Sequence, residues 1–271
     1  MRNIRFYILV AIIIFISNFS HAKIHITVTN SYLKNLITAI GGNKILIDSL
    51  MNGGSCIHHY SFKPTELKKI INTDLLIYID KNYETFIDKI IPLIQRNAQI
   101  LEISSIKNIK YNNSVPLGYV WYDLQNIELI LYEITHLLSK ISPNDKAYFQ
   151  KNYQENLKYA TLLKQDLTDA LGLIKKAIVI DDKLSYIFPN SNNIKNLFFH
   201  SHSLKFSDLV LLNKLTTEDD TQNICLFVTP ESRMINNIRN DIKIIKINLD
   251  SKTTWYKQFR SIINQISTCR N

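Results

Sequence analysis

The stretch Ser55–Pro64, SCIHHYSFKP, places Cys56, His58, His59 and Tyr60 within five residues. Imidazole and thiolate are the side chains that zinc prefers. Neighbours in an extended loop point different ways, so one ion takes one of the two histidines. The other, with Cys56, is held in reserve as a substitute ligand. Cys56 also fits the small, inert, buried thiol common in cores. A second histidine pair, His200 and His202, sits at a strand end where alternation puts both on one face. His25 and His136 fall inside apolar periodic runs and read as structural. No G-x-S-x-G, H-E-x-x-H or C-x-x-C occurs, so the sequence offers no hydrolytic or redox constellation and no enzyme is expected.

The elements that position these residues follow from the hydrophobic pattern. Short β-rich runs occur at 24–29, 44–50, 75–80 and 100–103, separated by amphipathic stretches such as SYLKNLITAI and NYETFIDKIIPLI. The rhythm returns at 177–180, 196–199, 224–229 and 244–249. Alternating strands and helices predict parallel sheets with helical crossovers. The fold class is therefore α/β: two similar lobes, each a four-stranded mainly parallel sheet with flanking helices. Between them, SPND opens a long helical pattern with Ser142 as N-cap and Pro143 at the first helical position. Apolar residues recur at Phe149, Tyr153, Leu157, Ala160, Leu163, Leu167, Ala170 and Ile174. This gives a leader at 1–22, an N-terminal lobe at 23–141, one long rigid linker helix at 142–176 and a C-terminal lobe at 177–271. Ligands of open α/β sheets bind outside the carboxyl ends of the strands. That rule selects the His58 loop, the segment GYVWYD, Asp181 and Asp182 after the fifth strand, and Asp250 after the last. The residues alone define an exported two-lobed protein with a cleft suited to a metal ion or small ligand.

The bulk properties agree. Residues 1–5 carry two arginines and no acid, an apolar run follows, and Ser20–Ala22 is a small-x-small pattern. This predicts a signal peptide cleaved near Ala22. Its removal lowers the net charge from +9 to +7. The basic residues are dispersed, so nucleic acid is not an expected partner. Glycine numbers 6, with no Gly-rich phosphate loop. Ile, Asn and Lys are abundant in a way that suggests base-composition bias, so they are discounted as functional signals. Export permits disulfides. Cys225 and Cys269 share one half of the chain and are the favoured pair, leaving Cys56 odd.

HHYSFKPTELKKIINTDLLIYI resembles the H-x-Y-S-x-[KR]-P-[ST]-[DE] segment of the metal-binding solute receptors of ABC importers, in particular the ZnuA-type zinc-binding periplasmic proteins. GYVWYD is similar to their H-x-W-L-[DS] segment, SPNDKAYFQKNYQENL to the start of their linker helix, and IDDKLSY to F-H-D-A-[YF]-G-Y. CLFVTPESR and the closing NLDSKTTWYKQF…ISTC resemble C-x-F-x-E-P and L-D-P-L-G…C. The resemblance spans nearly all of the mature chain. It implies a metal site at His58, Tyr119, Asp181 and Asp250, with Tyr60 on the family tyrosine, and a Cys225–Cys269 bridge. Two family histidines are replaced, by Tyr119 and Asp181, and the family glutamate of C-x-F-x-E-P falls on Thr229. His59, Cys56, His200 and His202 are the substitute ligands. The implied function is a monomeric periplasmic receptor that delivers a divalent ion to an inner-membrane ABC permease. Zinc is the first expectation, manganese or iron the alternative because the donors are oxygen-rich. A degenerate adhesin-like protein without metal is the rival.

Overall fold

The computed structural model describes residues 22–51, 60, 62–111, 117–189, 191–197, 210, 214, 224–230, 232, 242–249 and 253–269. The N-terminal sheet contains β1 (Ile24–Asn30), β2 (Ile45–Met51), β3 (Leu75–Tyr78) and β4 (Gln99–Glu102), in the order β2-β1-β3-β4. The C-terminal sheet contains β5 (Lys176–Val179), β6 (Ile194–Asn196), β7 (Ile224–Val228) and β8 (Lys243–Lys246), in the order β6-β5-β7-β8. All pairings are parallel. The two lobes therefore share one topology, with equivalent switch points between β1 and β3 and between β5 and β7. Their central strands are continuous apolar runs because both faces are covered; Ile26, Val28, Leu75, Leu76 and Ile77 are fully buried. The sixth strand lies two residues earlier than the run at 196–199 suggested.

Helices α1 (Tyr32–Gly41), α2 (Leu67–Ile71) and α3 (Ile87–Ile90) flank the first sheet, and α4 (Leu124–Ile141) leads to the linker. The stretch NYETFIDKIIPLI, expected to be helical, forms only the single turn α3 and a 3-10 turn, Ile91–Leu93. Pro92, inside that 3-10 turn, supplies no backbone donor to carry an α-helix on from α3. After α1 the chain turns through Gly42 at φ 51°, and a side chain there would collide with the Tyr148 hydroxyl. Glycine is favoured by the positive φ, whereas the Tyr148 hydroxyl, at the end of its side chain, could shift aside.

Linker helix α5 runs Lys146–Gly172, about 40 Å at 1.5 Å per residue. The 3-10 turn Pro143–Asp145 precedes it. Ser142 stands at the N-cap position of this turn, but its hydroxyl pairs with Asp145 Oδ2 at 2.9 Å rather than with a backbone amide. Phe149, Asn156, Ala160, Leu163 and Ala170 form its buried stripe. One continuous core runs from Ile26 and Ile37 through this stripe to Phe227 and Phe259, so the helix is shared by both lobes. The closing helix α6 (Trp255–Ser267) packs along α5. The Cys225–Cys269 disulfide ties the end of α6 to β7, with Cα atoms 6.0 Å apart. Such a loop closure stabilises by about 4 kcal/mol in the chain-entropy account.

Asn156 is the polar member of the stripe. Its Nδ2 donates to Ala39 O at 3.2 Å and Asn152 O at 2.8 Å, and its Oδ1 accepts from Trp255 Nε1 at 2.8 Å. Asn152 Nδ2 adds a bond to Ile40 O at 2.8 Å. One amide therefore joins the first lobe, the linker and the last helix. Asn156→Leu would strand the buried indole N–H and should cost about 2–3 kcal/mol, which denaturant unfolding would register.

Candidate functional site

Both sheets direct their carboxyl edges to the interlobe region. On the C-terminal side, Asp181 follows β5 by two residues and caps the 3-10 turn Asp182–Leu184. Its Oδ1 accepts from the Lys183 amide at 3.1 Å, and its Oδ2 accepts a short hydrogen bond from the Thr229 hydroxyl. Asp182 lies beside it. Burial, then the charge and hydrogen bond of Asp181, raise the Asp182 carboxyl above the usual range. A cation held here would offset the repulsion between the two adjacent acids.

On the N-terminal side, the 3-10 turn Leu117–Tyr122 carries Tyr119. Asn126, fully buried on α4, clamps this turn: its Nδ2 donates to Lys110 O and Val120 O, both at 3.0 Å, and its Oδ1 accepts from Lys110 N at 2.8 Å. Asp123 caps α4, accepting from Gln125 N and Asn126 N at 2.7 and 3.1 Å. Tyr119 is half-buried against Trp121, ring centroids 6.1 Å apart, and Trp121 stacks on Tyr32 at 5.6 Å. Burial chiefly, then Tyr83, Asp182, Asp181 and Tyr32, push the Tyr119 hydroxyl far above its ordinary value. Tyr119 therefore lies within electrostatic range of Asp182 and Asp181 of the other lobe. It stays a phenol, a hydrogen-bond donor and a weak neutral oxygen ligand.

His58, His59, Cys56, His200, His202 and Asp250 lie outside the described residues. Among the described residues, no group of three His, Cys, Asp or Glu could hold a metal ion. The flanks of the His58 loop are fixed, however. Met51 pairs with Asn30 at the carboxyl edge. Tyr60 donates to Glu66 Oε2 at 2.7 Å and packs on Phe86, and Glu66 Oε2 also accepts from Lys63 N at 2.8 Å. The Y-S-F-K-P-T-E motif is a clamp on the loop. Leu249, next to Asp250, offers its carbonyl to the Tyr122 hydroxyl at 3.5 Å, which brings that segment to the interlobe boundary. His25 stands at the opposite edge, between Asp48 and Asn72 O. His136 faces an outer groove between α4 and α5.

Sequence reasoning missed Glu84. It is fully buried after β3, its Oε2 accepts from Ile79 N at 2.5 Å, and Thr29 Oγ1 of β1 faces it. Neither Glu84 Oε1 nor Thr29 Oγ1 completes a hydrogen bond of normal geometry. Burial raises the Glu84 carboxyl from 4.5 to about 7. In the sequence it lies in NYETFIDKIIPLI, whose apolar spacing predicts a helix.

A profile of the family described as "Zinc-uptake complex component A periplasmic" (ZnuA) matches residues 26–269. An uncharacterized protein of Rickettsia prowazekii is 27% identical over 266 residues, 94% of this chain and 87% of its own length. The metal ABC transporter substrate-binding lipoprotein SloC of Streptococcus mutans is 28% identical over 143 residues, covering 49% of this chain and 47% of SloC. The manganese ABC transporter lipoprotein scaA of Streptococcus gordonii is 24% identical over 193 residues, covering 66% and 62%. The crystal structure of ZnuA superposes with a TM-score of 0.76 at 17% identity, over 92% of this chain and all of that one. Zn(II)-bound AdcA from Streptococcus pneumoniae gives 0.72 at 15%, over 92% and 58%. The chain belongs to the ZnuA family of substrate-binding proteins of metal ABC transporters. Its members are solute receptors.

Glu84 generates a pH prediction. Its folded pKa lies above its unfolded one, so folding takes up a proton between about 4.5 and 7. This contribution to stability is full in acid and is lost as pH rises through about 7. Glu84→Gln cannot ionise and can still accept from Ile79 N–H. Relative to wild type it should gain up to about 3 kcal/mol between pH ~5 and pH ~8.5, measured by denaturant unfolding. Parallel pH profiles for the two proteins would contradict this.

Proposed function

We propose that this chain is the extracytoplasmic receptor of a metal importer, capturing one divalent transition-metal ion between its lobes and handing it to a membrane permease. What supports the reading is that Tyr119 of one lobe lies within electrostatic range of Asp182 and Asp181 of the other. These residues sit at the carboxyl edges where open α/β sheets bind ligands. His58 and Asp250 complete the proposed donor set, with Tyr119 donating a hydrogen bond to a bound oxygen rather than supplying a phenolate. His59, Cys56, His200 and His202 are the reserve ligands. The apolar leader at 1–22 supports export. No step of bond chemistry is assigned; binding and release are the function.

The proposed cargo is zinc as the family description has it, with a weakened preference. A site of one imidazole and several oxygens loses the soft donors on which zinc selectivity rests, and manganese or ferrous iron then compete. Competitive titration of the purified mature chain tests this. One ion per chain is expected, with zinc and manganese affinities closer together than a three-histidine site gives. His58→Ala should weaken binding about tenfold or more. Absence of any stoichiometric zinc, manganese or iron would favour the metal-free interaction protein instead.

A further inference from the structure

We infer that Thr229 positions Asp181 for the metal, the two forming a donor–acceptor pair whose polarity is reversed relative to the His and Glu of the motifs this chain resembles. The inference rests on the metal-receptor reading. The register β5–β7 pairs Val179 with Phe227, so two residues further on Asp181 stands opposite Thr229 at the carboxyl edge. Thr229 is 1% exposed, so its hydroxyl must find a partner inside the protein, and it donates to Asp181 Oδ2. The Lys183 amide holds Oδ1. Asp181 is thus gripped at both oxygens in one orientation.

The chemistry explains why the two positions differ from the motifs together. An imidazole that ligates through one nitrogen carries N–H on the other and needs an acceptor, which a glutamate supplies. A carboxylate has only acceptors. A glutamate beside it would repel it and leave both without a donor. Once aspartate occupies position 181, position 229 must change from acceptor to donor, and threonine does this at the same edge of the sheet. The reversed pair also replaces a nitrogen donor with a harder oxygen, which lowers the preference for zinc.

The test is metal titration of wild type, Thr229→Val, Thr229→Ser, Asp181→His, Thr229→Glu and the Asp181→His/Thr229→Glu double variant. Thermal unfolding of each metal-free protein runs in parallel. Thr229→Val should weaken binding about 10- to 100-fold, and Thr229→Ser, which keeps the hydroxyl, should bind near wild type. Asp181→His and Thr229→Glu should each be poor binders. The double variant should recover to within about threefold of wild type and favour zinc over manganese by about tenfold more. Thr229→Val binding as wild type, or a double variant no better than the worse single one, overturns the inference while leaving the receptor reading intact. A wild type that binds no metal overturns both. If Thr229→Glu does not fold, the Val and Ser variants decide alone.

Discussion

The relative placement of the two lobes depends on one buried amide, Asn156. Apolar contacts along a helix tolerate sliding, because dispersion has little directionality. Hydrogen bonds from Asn156 to Ala39 O and from Trp255 Nε1 to Asn156 do not. They fix where α1 of the first lobe and the start of α6 of the second meet the linker. A buried amide left unpaired would cost more than its hydrogen bonds now contribute, so packings that break them are disfavoured. The scaffold thus sets the relative placement of the two lobes.

The carboxyl edges of the two sheets are built alike. Each lobe places a carboxylate and a threonine hydroxyl at its switch point: Glu84 with Thr29 in the first, Asp181 with Thr229 in the second. The outcomes differ because of solvent. Asp181 is half-buried and accepts two hydrogen bonds. Glu84 is sealed, has an unpartnered oxygen and titrates near neutrality. One pair is partly open to solvent, and the other is buried. Two carboxyl groups at 181 and 182, with a phenol across the gap, make a region that a cation would neutralise.

The fold was legible because its strands are short Ile, Val and Leu runs at regular intervals. All eight were recognisable, and β6 alone slipped by two residues where the apolar signal of Leu197–Phe199 outweighed the pairing of Ile194–Asn196. The linker helix was legible from its period, although its register concealed Asn156, which stands where an apolar residue would be expected. Asparagine was set aside as compositional bias, and this hid Asn126 and Asn156, both buried and fully engaged. Tyr119 and Asp181 were found from strand-end position and motif. Thr229 as a partner of Asp181 was not, because the contact depends on β5–β7 register, which no local pattern encodes. Glu84 was hidden because NYETFIDKIIPLI carries a helical pattern, whereas the chain turns at Glu84 and begins α3 only at Ile87.

The central claim is that ligands from both lobes converge on one ion. Anomalous diffraction from crystals grown with manganese addresses it directly. The account predicts a single strong peak in the cleft, about 2.0–2.3 Å from an Asp181 carboxylate oxygen and also coordinated from the N-terminal lobe. A peak bound by one lobe alone, or none in the cleft with the ion elsewhere on the surface, would contradict it.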